Sequence, residues 1–318
     1  MANRMTMQSQ LKEHIFGPVF PVLPSYTNTG QLDLEHVSNY LCMLASNGAK
    51  TVMTTAGTSQ FNLLSTDEIL ELNRLTARTF NGRVICGLPT LAERQLAPLI
   101  VEAASNIPGA PIMLTYPERF YSESGLIGFF ERMTKLAPET QFYLHGLPMR
   151  LSNGGVKDYD AKLVSTLTAS VPNIAGMKEE SSTYESGFKL CSEMQNVSDF
   201  EFIVAGGSMR RFLLLYAAGA QSFLSGVGSL FPKIETAFHD AVTAGDLKAA
   251  SALIRDFETP LFQVFMDIGW HPALRRAAQK LGYISASERE PMTCLTQTHK
   301  RQVDGALARL HKQLQATL

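Results

Sequence analysis

Apolar positions along this chain fall into two alternating patterns. Short β-branched or apolar runs occur at Gly17–Leu23, Lys50–Thr54, Arg83–Gly87, Pro111–Thr115, Gln141–His145, Ile174–Lys178, Glu201–Ala205 and Gln221–Ser225. Their length and composition predict buried strands, recurring roughly every 20 to 33 residues as βα units do. Between them, apolar residues recur at helical spacing. Asp33 can cap a helix that places Leu34, Val37, Leu41 and Leu44 on one face, with Gly48 as its stop. Ser65-Thr66-Asp67-Glu68 has the form of a capping box, ahead of a helix whose inner face is Ile69, Leu72 and Leu75. Phe212 to Ala218 is apolar nearly all round, which predicts a helix covered on its outer side as well.

Eight such units predict a closed (β/α)₈ TIM barrel rather than an open doubly wound sheet. Open sheets usually have fewer strands, and the dinucleotide-binding kind needs a G-x-G-x-x-G turn that does not follow the first strand here. Beyond the eighth strand, residues 231–318 read as the last barrel helix and about three more, with no strand between them. The expected organisation is therefore an N-terminal extension (1–16), the barrel (17–245) and a C-terminal helical extension (246–318).

A barrel of this kind carries its chemistry at the C-terminal ends of its strands. Four segments should meet there. Lys178 ends the sixth strand and His145 the fifth, Thr55–Ser59 follow the second and Ala205–Ser208 the seventh. Lysine is costly inside a strand but useful at its end, facing a pocket. Burial penalises an ammonium, and a neutral amine can attack a carbonyl to form a Schiff base. The competing reading is a lysine whose stem covers apolar surface while its head reaches water.

Composition narrows the partners. The chain has 318 residues, is 45% hydrophobic and 18% charged, and has a formal net charge of −1, which fits a soluble globular protein and offers no basic field for nucleic acid or an anionic membrane. Cys42, Cys86, Cys191 and Cys294 are scattered, without a C-x-x-C pair, so no metal site is expected and free thiols are. The segment MANRMTMQSQLKEHIF lacks the apolar core of a signal peptide and no run reaches membrane-spanning length, so the expected location is cytoplasmic.

Six motifs in order carry a resemblance. FPVLPSYTNTGQLD, AGTSQFNLLSTDE, HGLPMR, IAGMKEESS, GAQSFLSGVGSLFP and HPALRRAAQKLG followed by REPM resemble successive blocks of the dihydrodipicolinate synthase / N-acetylneuraminate lyase family of class I aldolases. The resemblance runs from about Gly17 to about Leu310. It implies the barrel with helical extension, and Lys178 as the residue that condenses with pyruvate or another 2-oxo acid. An aldehyde is the implied partner. No cofactor is implied, because the iminium itself is the electron sink. Family members commonly form dimers or tetramers, so a homo-oligomer is implied as well.

The same resemblance assigns further residues. Gly57 and Thr58 would hold the substrate carboxylate through backbone N–H groups, although Gly57 stands where the family has threonine; a plain strand-to-helix turn is the alternative. His145 falls on the family's catalytic tyrosine. Histidine can move protons near neutrality, while a structural His145 in a slow or inactive enzyme is the other possibility. Tyr143 should point the same way from deeper in the barrel. The family's second relay tyrosine falls on Glu118, with Tyr121 nearby as a substitute. Arg150 matches a family arginine and could hold a second carboxylate, or only a loop ion pair. Gly206 and Gly207 would let substrate approach the backbone. Three other readings stay open: a 2-oxo-acid-binding barrel without turnover, a phosphosugar enzyme using the loops after the last strands, and a pyridoxal-phosphate enzyme with Lys178 as its aldimine.

Overall fold

The computed structural model describes residues 15, 17–117, 122–151, 153–195, 197, 199–292 and 294–317. Eight strands among them close a parallel barrel: β1 (Gly17–Pro21), β2 (Thr51–Met53), β3 (Arg83–Gly87), β4 (Ile112–Leu114), β5 (Phe142–Gly146), β6 (Ile174–Glu179), β7 (Glu201–Val204) and β8 (Ser222–Leu224). Neighbours in sequence are neighbours in the barrel, and β1 closes it, with Gly17 opposite Ser222 and Val19 opposite Thr51. The observed strands fall within the predicted runs or overrun them by one residue. A small antiparallel hairpin, Met149–Arg150 with Val156–Lys157, follows β5.

The helices begin where their caps predict. In α1 (Leu34–Ser46) the Asp33 side chain accepts from His36 N–H, and Val37, Leu41 and Leu44 are buried. In α2 (Thr66–Thr79) the capping box between Ser65 and Glu68 is complete. The remaining barrel helices are α3 (Glu93–Asn106), α4 (Glu123–Thr134), α5 (Ala161–Ser170), α6 (Tyr184–Met194), α7 (Ser208–Tyr216) and α8 (Pro232–Thr243). On α7 the prediction of all-round cover needs correcting: Phe212 and Leu215 are buried, but Leu214 is 52% exposed. One apolar face against the barrel is enough to hold this helix.

Apolar side chains form two bodies. Val19, Met53, Ile85, Met113, Tyr143, Ile203 and Leu224 fill the inside of the barrel, one from each strand except β6. On β6 the inward position at that level is Gly176. A Cβ there would fall 2.3 Å from the Tyr143 ring, so glycine makes room for the tyrosine. The larger body lies between strands and helices.

Beyond α8 come α9 (Leu247–Leu253) and α10 (Thr259–Ile268), joined without a break by a π-helical turn at Ile254–Glu258, then α11 (Trp270–Lys280) and α12 (Gln297–Thr317). Pro260 has no N–H for a helical bond back to Asp256, and the helix widens just before it. The four cysteines are free, two buried and two exposed. Among the described residues no helix is long and apolar enough to cross a membrane.

Candidate active site

The register between β5 and β6 sets His145 directly beside Lys178. Side chains alternate along a strand, so Gly176, Lys178 and Glu180 face inward while Met177 and Glu179 face out. Lys178 and His145 are each 3% exposed. Lys178 Nζ lies 2.8 Å from His145 Nε2 and donates to Glu180 Oε2 at 2.5 Å. Glu180 Oε2 is itself 3.0 Å from His145 Nε2, and Thr115 Oγ1, just past β4, is 3.0 Å from His145 Nδ1. Lysine, histidine and glutamate thus form a closed triangle.

The electrostatics of that triangle are one-sided. Burial, and then the charge of Lys178, push the His145 imidazole down to about 4, so it is neutral near pH 7. A neutral imidazole has one donor and one acceptor nitrogen. With Nε2 accepting from Lys178, the Nδ1–H donates to Thr115. Burial raises the Glu180 carboxyl, but the charge of Lys178 and the hydrogen bond it donates outweigh it and hold the group well below the usual carboxylate range.

This triangle opens onto a cavity of about 270 Å³. The barrel side is lined by Gly57, Thr58, Lys178, Glu180, Gly206 and Gly207. In the loop after β2, Ser59 N–H and Gln60 N–H bond to the carbonyls of Ala56 and Gly57 at 3.0 and 2.9 Å. The N–H groups of Gly57 and Thr58 have no protein acceptor among the described residues. A Cβ at Gly57 would meet only Phe61, at 3.9 Å, so nothing steric demands glycine there. Gly206 sits at φ +70°, a conformation that favours glycine.

The loops after β7 and β8 are tied down by buried acids. Glu235 Oε1 accepts from Gly226 N–H, Gly228 N–H and Ser208 Oγ at 3.1, 2.8 and 3.1 Å. A carboxylate thus occupies the donors that a phosphate would need at this loop. Glu258, in the π-helical turn, accepts from Met209 N–H and Arg210 Nε, and burial with nearby Glu235 lifts its carboxyl to about 7.

Five of the seven sequence candidates line the cavity, and His145 touches Lys178 behind it. Arg150 stands apart: it is exposed on the hairpin and does not line the cavity. Tyr143 is fully buried, and its hydroxyl donates a short hydrogen bond to Glu201 inside the barrel. Glu118 and Tyr121 lie outside the described residues. The sequence reading missed Glu180, whose signal was its spacing two residues beyond Lys178. It also missed Phe262, Met266, Trp270 and His271, which bring α10 and α11 over the cavity and carry no local sequence signal.

Comparison with known proteins bears on the family and the fold. The Dihydrodipicolinate synthetase family matches residues 124–310. The chain is 25% identical over 287 residues to the 4-hydroxy-tetrahydrodipicolinate synthase of Moorella thermoacetica, covering 89% of this chain and 94% of that one. It is 27% identical over 279 residues to the "Probable 5-dehydro-4-deoxyglucarate dehydratase 2" of Streptomyces avermitilis, covering 86% and 80%. Among solved structures, YagE from E. coli K12, a prophage protein of the dihydrodipicolinic acid synthase family in complex with pyruvate, has a TM-score of 0.82. It covers 94% of this chain and 99% of its own at 20% identity, a likeness of fold.

Proposed function

The chain belongs to the Dihydrodipicolinate synthetase family and is a carbon–carbon or carbon–oxygen lyase, and we propose that it works by Schiff-base capture of pyruvate or another 2-oxo acid on Lys178. The observation that carries this is the buried Lys178 amine at the cavity wall, 2.8 Å from a neutral imidazole. The substrate carboxylate is held by the unengaged N–H groups of Gly57 and Thr58, with Gly206 and Gly207 leaving room beside it.

His145 moves the protons. When Lys178 passes a proton to His145 Nε2, it removes the charge that opposed protonation there. The new imidazolium Nε2–H then donates to Glu180 Oε2, the contact already set at 3.0 Å. The free amine adds to the keto carbon, the carbinolamine loses water, and the iminium draws electrons from the adjacent carbon. Loss of a proton from that carbon gives an enamine. Its carbon bonds to the aldehyde carbon as the aldehyde oxygen takes a proton. Water then cleaves the iminium and restores Lys178. Run backward, the same steps cleave an aldol. A β-hydroxyl on the enamine can instead leave as water, which is the dehydratase outcome. Arg150 would act only on a substrate tail that reaches beyond the cavity, and the working enzyme is a homo-oligomer, a dimer or tetramer.

Borohydride reduction in the presence of pyruvate tests the reading. Intact mass and peptide mapping should find one reduced pyruvate adduct, on Lys178, and none in Lys178→Ala. An unmodified Lys178 at saturating pyruvate refutes it.

A further inference from the structure

The wall of the cavity opposite the barrel is aromatic, and it is fixed before any ligand arrives. Phe262 and Trp270 lie with ring centroids 5.4 Å apart, and Phe265 supports Trp270 edge-on at 5.7 Å. The Arg210 guanidinium sits 4.0 Å from the centre of the Phe262 ring, held there by the buried Glu258. The indole edge packs against the loop after β8: a Cβ at Gly226 would stand 3.4 Å from it, in ordinary contact. Met266, 56% exposed, continues the wall to the rim.

The polar groups facing this wall offer little to a second negative charge. Lys178 is the one lysine or arginine among the described lining residues. Arg210 and Arg211 are bound to Glu258 and Glu179, and the Ser208 hydroxyl is bound to Glu235. Glu180 adds a carboxylate, 28% exposed, beside the reacting amine. Once Gly57 and Thr58 hold the first carboxylate, a second one would find no free cation among the described lining residues and would meet Glu180. A polyhydroxyl chain could reach the Thr58, Ser225 and His271 side chains, but it would leave the Phe262 and Trp270 faces wet.

Resting on the Schiff-base reading, we infer that the aldehyde half of the substrate is an uncharged apolar group, aromatic by preference, that packs on Phe262 and Trp270. This predicts the opposite selectivity from an enzyme for diacids or sugar acids. The bond formed is the one already described, between the enamine carbon and the aldehyde carbon, with the aldehyde oxygen protonated.

The test pairs pyruvate with benzaldehyde, glyceraldehyde and succinic semialdehyde, and follows aldol product together with borohydride trapping. Benzaldehyde should exceed each of the others in kcat/KM by tenfold or more. Trp270→Ala should erase at least tenfold of that preference while the Lys178 adduct still forms, which shows that the variant is folded. Met266→Lys, at an exposed position, should raise succinic semialdehyde relative to benzaldehyde. Adduct formation with glyceraldehyde or succinic semialdehyde preferred, or selectivity unmoved in both variants, overturns the inference and leaves the Schiff-base reading standing. Failure to trap pyruvate at all overturns both.

Discussion

Two glutamates stand side by side after Lys178, and the barrel treats them differently. Glu179 points outward. It is fully buried, takes both ends of the Arg211 fork at 2.9 and 3.0 Å, and accepts from Ser181 N–H at 2.8 Å. Arg211 in turn donates to the Ser181 carbonyl at 3.0 Å, so α7 is pinned to the end of β6. Glu180 points inward, is partly open to the cavity, and meets a lysine and a histidine rather than an arginine. The same side chain, one residue apart, is a brace on one face and the neighbour of Lys178 and His145 on the other. The difference is set by strand alternation and by what each face meets. Arginine keeps its charge at any working pH and locks its partner. Lysine and histidine can exchange a proton.

The brace should show first, as the largest effect. Glu179→Ala leaves Arg211 buried without its partner, which costs about 3–5 kcal/mol. Denaturant unfolding should record that loss. Replacing both partners together, as Glu179→Met with Arg211→Leu, should recover a good part of it, because no orphaned charge remains. A Glu179→Ala protein as stable as the parent would mean that the outer face holds nothing.

His145→Ala tests the inner face. Turnover should fall by about 10²-fold or more, the usual worth of a positioned acid–base group, with the pyruvate adduct forming slowly but still on Lys178. Full turnover in this variant would return His145 to a structural role and leave the triangle without a proton carrier.

How much of this contrast was legible in the sequence differs by layer. The eight apolar runs gave the strands, and Asp33 and Ser65 gave two helix starts, because caps and periodicity are local signals. The lysine and histidine were legible through strand ends and family motifs. Glu180 was not, because the acids after Lys178 read equally well as the opening of a helix. Counting by twos from Lys178 would have found it. The aromatic wall could not be read at all. Trp270 comes to lie against Gly226 through the packing of the extension over the barrel mouth, a long-range contact with no periodic trace. The exposure of Arg150 was hidden for a similar reason: it sits on a short hairpin after β5 and does not line the cavity.

The pH dependence of stability separates the faces again. His145 is held at about 4 in the fold, against about 6.5 in an unfolded chain. The folded state therefore favours the neutral ring. This contribution is whole above about pH 6.5 and is lost as pH falls toward 4. From pH 7.5 to pH 5 the loss is about 2 kcal/mol. Unfolding measured at both values should show this loss in the parent and not in His145→Ala, superposed in both on the opposite trend of Glu258, whose raised carboxyl favours the fold at low pH. An equal slope in parent and variant would place the sensitivity elsewhere.

Glu180→Gln is the smallest perturbation and the most discriminating. The amide keeps the shape and still accepts from Lys178, so stability should shift by no more than about 1 kcal/mol, given the partial exposure of the group. Its charge is gone, however, and two consequences run in opposite directions. The imidazolium formed when His145 takes a proton loses its anionic partner, so kcat should drop by about tenfold, equivalent to about 1.4 kcal/mol. The incoming 2-oxo acid no longer meets a like charge beside Lys178, so the KM for pyruvate should also drop. The acid limb of the kcat profile should move to lower pH, since Glu180 is among the groups that lift the His145 value. A glutamate that merely filled space would change neither constant. If it acted like Glu179, as a brace, stability would fall while kcat and KM kept their ratio. Only a carboxylate coupled to the proton on His145 lowers both kinetic constants and leaves the fold alone.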